Sequence, residues 1–453
     1  MELDTARHIR YFQRCYKSVL PHHYTANDSS RLALAYFILA AFDLLSSPSS
    51  YTSAPDSSAT PPSLIPAADR PRLRAWVLSL QHRSGGFCGS PQHVLPREIR
   101  RGYDGELRVQ TADDPENANI AATYFALMLL GILADESAEG AASTYRHVDR
   151  VATLKWLKRL QRPDGSFGEL VQDDGTIGGG RDMRYCYMAS TIRWILRGNH
   201  GDRIFDFDVH KLVAYMRRSQ TFDGGIAESE MGESHAGYGY CAVSALSILD
   251  LAEEDAEEPN KSLQAGIADI PALVHYLVCR QFAYTDEEED EEEDEDGENE
   301  DGENEGEPPE TLTTDTPIPE MATLSIDYVN IAGFSGRLNK IPDTCYTWWV
   351  AGALRILDAA LPGATSVDRA SGRAFLLEKT QHVIGGFGKH VDRPPDVYHS
   401  YLGLAALATM AGDEKEAGLG LFDVRLCIGK EAAARVARGR DFVLAGAPRT
   451  EEA

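Results

Sequence analysis

One short pattern, repeated along the chain, constrains this protein more than any other feature. The segments "LSLQHRSGGFCG", "KRLQRPDGSFGE", "MRRSQTFDGGIAE" and "EKTQHVIGGFGK" each end a helical pattern in glutamine and place a glycine four residues later. The pairs are Gln81 and Gly85, Gln161 and Gly165, Gln220 and Gly224, and Gln381 and Gly385. A fifth, broken copy is "LVCRQF" at Gln281, which resumes much later at "AGFSGR". With insertions set aside the period is roughly 50 to 60 residues, about two helices and a glycine turn per unit. Between the turns, "RLALAYFILAAFDLL", "NANIAATYFALMLLGIL", "RYCYMASTIRWIL", "GYCAVSALSILDLA", "CYTWWVAGALRIL" and "SYLGLAALATMAG" carry apolar residues at three- and four-residue spacing, which predicts buried or half-buried helices.

Repeated helix pairs must bury their faces against neighbours, and 453 residues are enough to close a ring. The predicted fold is all-α, an α/α barrel of about six helix pairs arranged as inner and outer rings. Glycine turns would supply positive backbone dihedrals at one end of the inner helices, with a ligand cavity in that mouth. The barrel domain is expected over 1–430, interrupted by an insertion at 285–326 and followed by a C-terminal tail at 431–453.

The formal net charge of −26 belongs mostly to that insertion: residues 286–310 hold 18 Asp and Glu and no Lys or Arg. Such a segment cannot bury apolar surface and is expected to be a disordered, solvated loop, tolerated because long loops cost little closure entropy. The alternative is an electrostatic docking element for basic partners. The rest of the chain is mildly acidic, without the basic stripe that phosphate backbones select, so no nucleic-acid ligand is expected. Seven scattered Cys and a start without an apolar signal core fit a reducing, cytoplasmic setting. The longest apolar run, "LALAYFILAAF", falls short of the ~18 residues of a membrane span, so no transmembrane segment is expected.

The stretch "NKIPDTCYTWWVAG" places Asp343 and Cys345 two residues apart behind Pro342. A buried acid there needs a partner. Two residues at that spacing cannot share a helix face, but they converge around a helix start, with Asp343 near the N-cap. His399 in "PPDVYHSYLGL" also precedes an inner-type helix, so Asp343, Cys345 and His399 are the candidate zinc ligands, leaving a fourth position open. Taken alone, such a pair with a remote histidine is weak evidence, since most such pairs are a cap and a core thiol. At the same end fall His235, Arg337, Lys340, Lys389 and Tyr346, a donor cluster suited to a diphosphate. Singly, each basic residue reads as a solvated charge. Tyr187, Trp194, Tyr238, Tyr240, Tyr346, Trp348 and Trp349 are expected to line an aromatic tunnel, though most could equally be core.

The motifs "GFSGRLNKIPDTCYTWW", "GGFGKHVDRPPDVYHSY", "ESHAGYGYCAVSAL", "RDMRYCYMAS" and "RHIRYFQRCYKSVLPHHY" resemble the β subunits of protein prenyltransferases. They are most similar to those of geranylgeranyltransferase type I, over about residues 7 to 410. The resemblance implies catalytic zinc on Asp343, Cys345 and His399, and an isoprenoid diphosphate bound by His235, Arg337, Lys340, Tyr346 and Lys389. It implies that Arg184 reads the C-terminal residue of the protein substrate, and that Trp349, Ala33 and Leu402 line the isoprenoid pocket. It also implies an obligate α subunit, geranylgeranyl diphosphate as donor, and C-terminal Cys-a-a-X motifs of proteins such as small GTPases as acceptors. Zinc would depress the pKa of the acceptor thiol, and the thiolate would attack C1 of the diphosphate.

Within that family farnesyltransferases shorten the lipid pocket with a Trp where this chain has Ala33. They also carry a magnesium-associated Asp where it has Lys389, so geranylgeranyl transfer without magnesium is expected. Leu402 stands where type I relatives have an aromatic, and "GGGRDMR" lacks the acid that precedes Asp-Met-Arg, which bears on preference for the substrate's last residue. The farnesyl enzyme is the near alternative. Two other enzyme classes compete: a triterpene cyclase, whose acidic cluster would be "FDFDVH" at 205–210, and a glycosidase using Asp182 with Glu228 or Glu233. A non-enzymatic helical scaffold is the remaining reading.

Overall fold

The computed structural model describes residues 2–445 apart from 19, 47–62, 92–98, 102–106, 110–117, 136, 173–174, 198–204, 252–259, 285–330, 361–366 and 412–417. The acidic insertion expected at 285–326 lies outside the described residues. The helices come in pairs. α1 (Thr5–Lys17) precedes α2 (Arg31–Leu45), and α3 (Arg70–Ser79) precedes α4 (Ile120–Ile132). After the short α5 (Ala138–Ser143) come α6 (Arg150–Arg159) with α7 (Met183–Leu196), then α8 (Val209–Arg218) with α9 (Ala236–Leu251). Beyond α10 (Lys261–Gly266), α11 (Ile270–Val278) pairs with α12 (Thr344–Ala360). The sixth pair is α13 (Arg369–Ala374), continued by a π-helical turn at Phe375–Thr380, with α14 (Val397–Met410). α15 (Lys430–Ala445) ends the described chain.

The second helix of each pair forms the inner ring, and in the first four pairs it is clearly the more apolar. α2 packs on α4, α4 on α7, α7 on α9, α9 on α12, α12 on α14, and α14 back on α2. The predicted barrel is thus closed, with six pairs.

The glutamine-glycine repeat explains the closure. Each Gln accepts a hydrogen bond from the backbone N–H of an Asp that begins the next outer helix: Gln81 from Asp149, Gln161 from Asp208, Gln220 from Asp269, and Gln281 from Asp368, all at 2.8 Å. Gln381 does the same to Asp4 at 3.1 Å, joining the end of the chain to its start. The Asp side chains in turn cap α1, α6, α8, α11 and α13. Glycine is required because the turn runs flush against that next helix. Gly385 has φ +88°, and a Cβ there would lie 2.4 Å from Arg7 O; Gly85, Gly165 and Gly224 repeat the arrangement against Ala152, Lys211 and Ala272. The broken fifth copy keeps its glutamine bond and substitutes a strand pair, Gln281–Ala283 with Ala332–Phe334, from which the insertion departs.

Packing continues past the domain end expected at 430. α15 buries Ala432, Ala433, Val436 and Gly439 against α4, α5 and α7, so residues 431–445 are part of the folded body. Just before it, the loop 422–428 enters the ring and meets one aromatic from the fifth or sixth position of every inner helix. The Tyr36 and Tyr401 hydroxyls donate to Cys427 O at 2.6 and 2.5 Å, Tyr124 to Leu426 O at 3.3 Å, and Tyr240 to Val424 O at 2.8 Å. Tyr187 joins through Tyr124 at 3.0 Å, and Trp348 packs edge-on against Phe422.

Candidate active site

The site lies at the glycine-turn end, where the inner helices start. Asp343 precedes α12, and its Oδ1 accepts the Cys345 N–H at 2.7 Å, folding the chain so that acid and thiol face one space. Asp396 caps α14 and accepts from the Tyr398 and His399 N–H groups, while its second oxygen holds His399 Nδ1 at 2.5 Å. That bond turns His399 Nε2 toward Asp343 Oδ1, 3.5 Å away. Ligand atoms of Asp343, Cys345 and His399 all lie within 4.8 Å of one another, the one such group of three His, Cys, Asp or Glu among the described residues. The two helix starts are bolted together: Thr344 donates its N–H to Lys389 O and its hydroxyl to Gly388 O, and His390 Nδ1 donates to Pro342 O.

Electrostatics there are tense without a cation. Asp343 is 3% exposed. Its pKa lies below the usual carboxylate value: burial opposes this, but His399 and the Cys345 N–H hold the charged form. Burial, then Asp343, pushes the Cys345 thiol well up. Against burial, Asp343 and Asp396 raise His399 to about 9. A carboxylate, a thiol and an imidazole oriented by a second carboxylate form the donor set that zinc takes, so the residues fit the ion.

Beside this triad His235 accepts the Gly237 N–H at Nδ1, so its Nε2–H donates to Tyr346 Oη at 2.9 Å. Burial, with Arg337 and Arg184 nearby, lowers His235 to about 4 and keeps it neutral. The Tyr346 ring lies on Gly336, where a Cβ would meet Cζ at 2.2 Å. Arg337 pairs with the exposed Glu233 at 2.7 Å. His235, Arg337 and Tyr346 thus gather around one turn. Lys340 sits on the loop between Arg337 and Asp343, and Lys389 on the turn that receives Thr344; both are half-buried. Arg184 is clamped by Asp182, its Nε donating to both carboxylate oxygens and its Nη2 to Oδ2.

The aromatic lining differs from expectation. Tyr238, Tyr346 and Trp349 are half-buried, but Tyr187, Tyr240 and Trp348 are buried in the belt around loop 422–428, and Trp194 packs under Arg440 of α15. Phe37, Phe125 and Tyr398 are half-buried additions not among the aromatics singled out from the sequence, although Tyr398 lies at the start of α14; Phe37 meets both of the others edge-on. Ala33 is half-buried on the first turn of α2, and Leu402 is buried on α14. The competing acids are structurally committed. Asp206 pairs with Arg193 and Arg197, Asp208 caps α8, and Asp182 holds Arg184.

A prenyltransferase alpha-alpha toroid domain model matches residues 3–428. The chain belongs to this family. Among curated relatives, the geranylgeranyl transferase type-1 subunit beta of Arabidopsis thaliana is 26% identical over 415 residues, covering 89% of this chain and 84% of that one. Its counterpart from Dictyostelium discoideum is 24% identical, covering 88% of each. A protein farnesyltransferase subunit beta of Pyricularia oryzae is 25% identical over 90% of this chain and 63% of its own. The Candida albicans protein geranylgeranyltransferase-I complexed with GGPP shares the fold, with a TM-score of 0.66, 22% identity and coverage of 97% and 99%. No helix among the described residues is long and apolar enough to cross a membrane.

Proposed function

We propose that the chain is the catalytic β subunit of a protein geranylgeranyltransferase type I. It would transfer the C20 group of geranylgeranyl diphosphate to the cysteine of a C-terminal Cys-a-a-X motif. The observation that carries this is the meeting of Asp343, Cys345 and His399 beside the His235–Tyr346–Arg337 cluster at one mouth. Asp343, Cys345 and His399 would hold zinc, which when bound supplies a Lewis acid that keeps an incoming thiol deprotonated at neutral pH.

The chain's own residues do the rest. Asp396 fixes the orientation of His399. Because neutral His235 donates to the Tyr346 oxygen, the Tyr346 proton is left to donate to a diphosphate oxygen. Arg337, Lys340 and Lys389 would add positive charge where negative charge grows as the C1–O bond breaks and the C1–S bond forms. Lys389 would serve where farnesyl relatives use magnesium, so turnover should not need that ion. Half-buried Phe37, Phe125, Tyr398 and Trp349 would hold the isoprenoid, and Arg184 the substrate's last residue. The reading also includes a helical α subunit as obligate partner, small GTPases among the acceptors and a cytoplasmic location, which suits seven free cysteines.

The test is co-expression with candidate α subunits, followed by transfer assays of C20 against C15 diphosphate to peptides ending in Leu or Met, with and without magnesium. C20 transfer to Leu peptides without magnesium is expected. C15 preference with strict magnesium dependence would assign the farnesyl enzyme instead.

A further inference from the structure

Arg280 stands just after α11, where the broken fifth copy begins. It is 5% exposed, yet neither Nε nor Nη1 has a hydrogen-bond partner, and among the described residues no carboxylate pairs with it. Its guanidinium lies over the Tyr276 ring, 4.8 Å from the centroid. A ring face offsets only part of what a buried, unpaired guanidinium loses in leaving water.

The surroundings indicate what offsets the rest. Arg280 O accepts the Ser335 N–H at 3.0 Å, and the Tyr276 hydroxyl donates to Gly336 O at 3.4 Å. Gly336 O also accepts the Ala236 N–H that opens α9, next to His235. Arg280 and the ring beneath it therefore brace the turn 335–337, which carries Arg337 and supports Tyr346. We propose that Arg280 is a positioning residue for the diphosphate. Its unneutralised charge, held behind this turn, favours an anion on the turn's other side, and its stacking on Tyr276 fixes how the turn presents Arg337. This rests on the diphosphate reading given above.

Arg280→Met keeps the stem against Tyr276 and removes the charge. In the full chain co-expressed with its partner subunit, the variant should bind inorganic diphosphate about tenfold more weakly, from the loss of one charge at low effective dielectric. KM for the prenyl diphosphate should rise with it, while KM for the peptide stays unchanged. The Tm without ligand should hold or rise, because a buried unpaired charge has gone; a merely structural arginine would lower it. Tyr276→Phe, which keeps the ring, should weaken diphosphate binding about threefold by freeing the turn, and it serves as the probe should the methionine variant fail to fold. Unchanged diphosphate affinity in the folded variants overturns the proposal while leaving the site reading intact. Wild-type protein that fails to bind diphosphate overturns both.

Discussion

The mouth of the inner ring and the belt about one turn below it are made from the same six helices and spend their polar groups in opposite ways. At the mouth, Asp343, Cys345 and His399 crowd together with few partners besides one another. At the belt, four tyrosine hydroxyls each reach a carbonyl of loop 422–428. The belt satisfies its buried tyrosine hydroxyls, leaving Trp348 Nε1 without a partner, and contributes stability. The mouth leaves its groups under tension that a ligand can relieve, and that is where chemistry is possible.

Substitutions that separate activity from stability test this contrast, and the largest effect belongs to the mouth. Cys345→Ala should lower turnover by at least about a thousandfold and abolish stoichiometric zinc, measured by metal analysis, with unchanged far-UV circular dichroism. Full activity in that variant would remove the proposed site.

Next in size is a pH effect at the seam between α1 and the last glycine turn, which the belt should not show. His8, fully buried, accepts the Gly386 N–H and donates to Gln381, and burial lowers its pKa to about 4. The unfolded chain protonates near 6.5 and the folded one near 4, so stability is lost as pH falls through that window, by up to about 3 kcal/mol. Urea midpoints between pH 7.5 and 4 should show the loss, and His8→Asn should reduce it by about half, because His235, lowered to about 4 as well, titrates in the same window. The belt tyrosines, raised by burial, stay neutral throughout.

At the belt, Tyr401→Phe removes one donor from Cys427 O and should cost about 1 kcal/mol, read as a lower midpoint with turnover within about twofold. A large activity loss without a stability loss would show that belt and mouth do not act separately. The smallest effect is expected from Gln161→Ala, which leaves the Asp208 N–H to water and should cost under about 1 kcal/mol. Gln381→Ala, at the seam beside His8, should cost more than Gln161→Ala.

Much of the fold was legible because the repeat is local. A glutamine followed by a glycine needs only a few neighbouring residues to announce a turn. The Asp that each glutamine reaches lies 47 to 87 residues away in the four forward links, so the link was not visible as a pattern. Asp396, which orients His399, carried a readable signal in "DVYHS", an acid three residues before a histidine at a helix start. The belt carried one too, an aromatic at the fifth or sixth position of each inner helix, but it has meaning only once loop 422–428 is known to enter the ring.

The sequence by itself determined the helix pairs, the turns, the triad as candidates and the family, since each rests on residue types at short spacing. Tertiary structure alone decided that Gln381 finds Asp4, that aromatics divide between lining and belt, and that no carboxylate among the described residues pairs with Arg280. Those outcomes depend on which surfaces meet after the ring closes, and contacts across hundreds of residues leave no periodic mark in the chain that makes them.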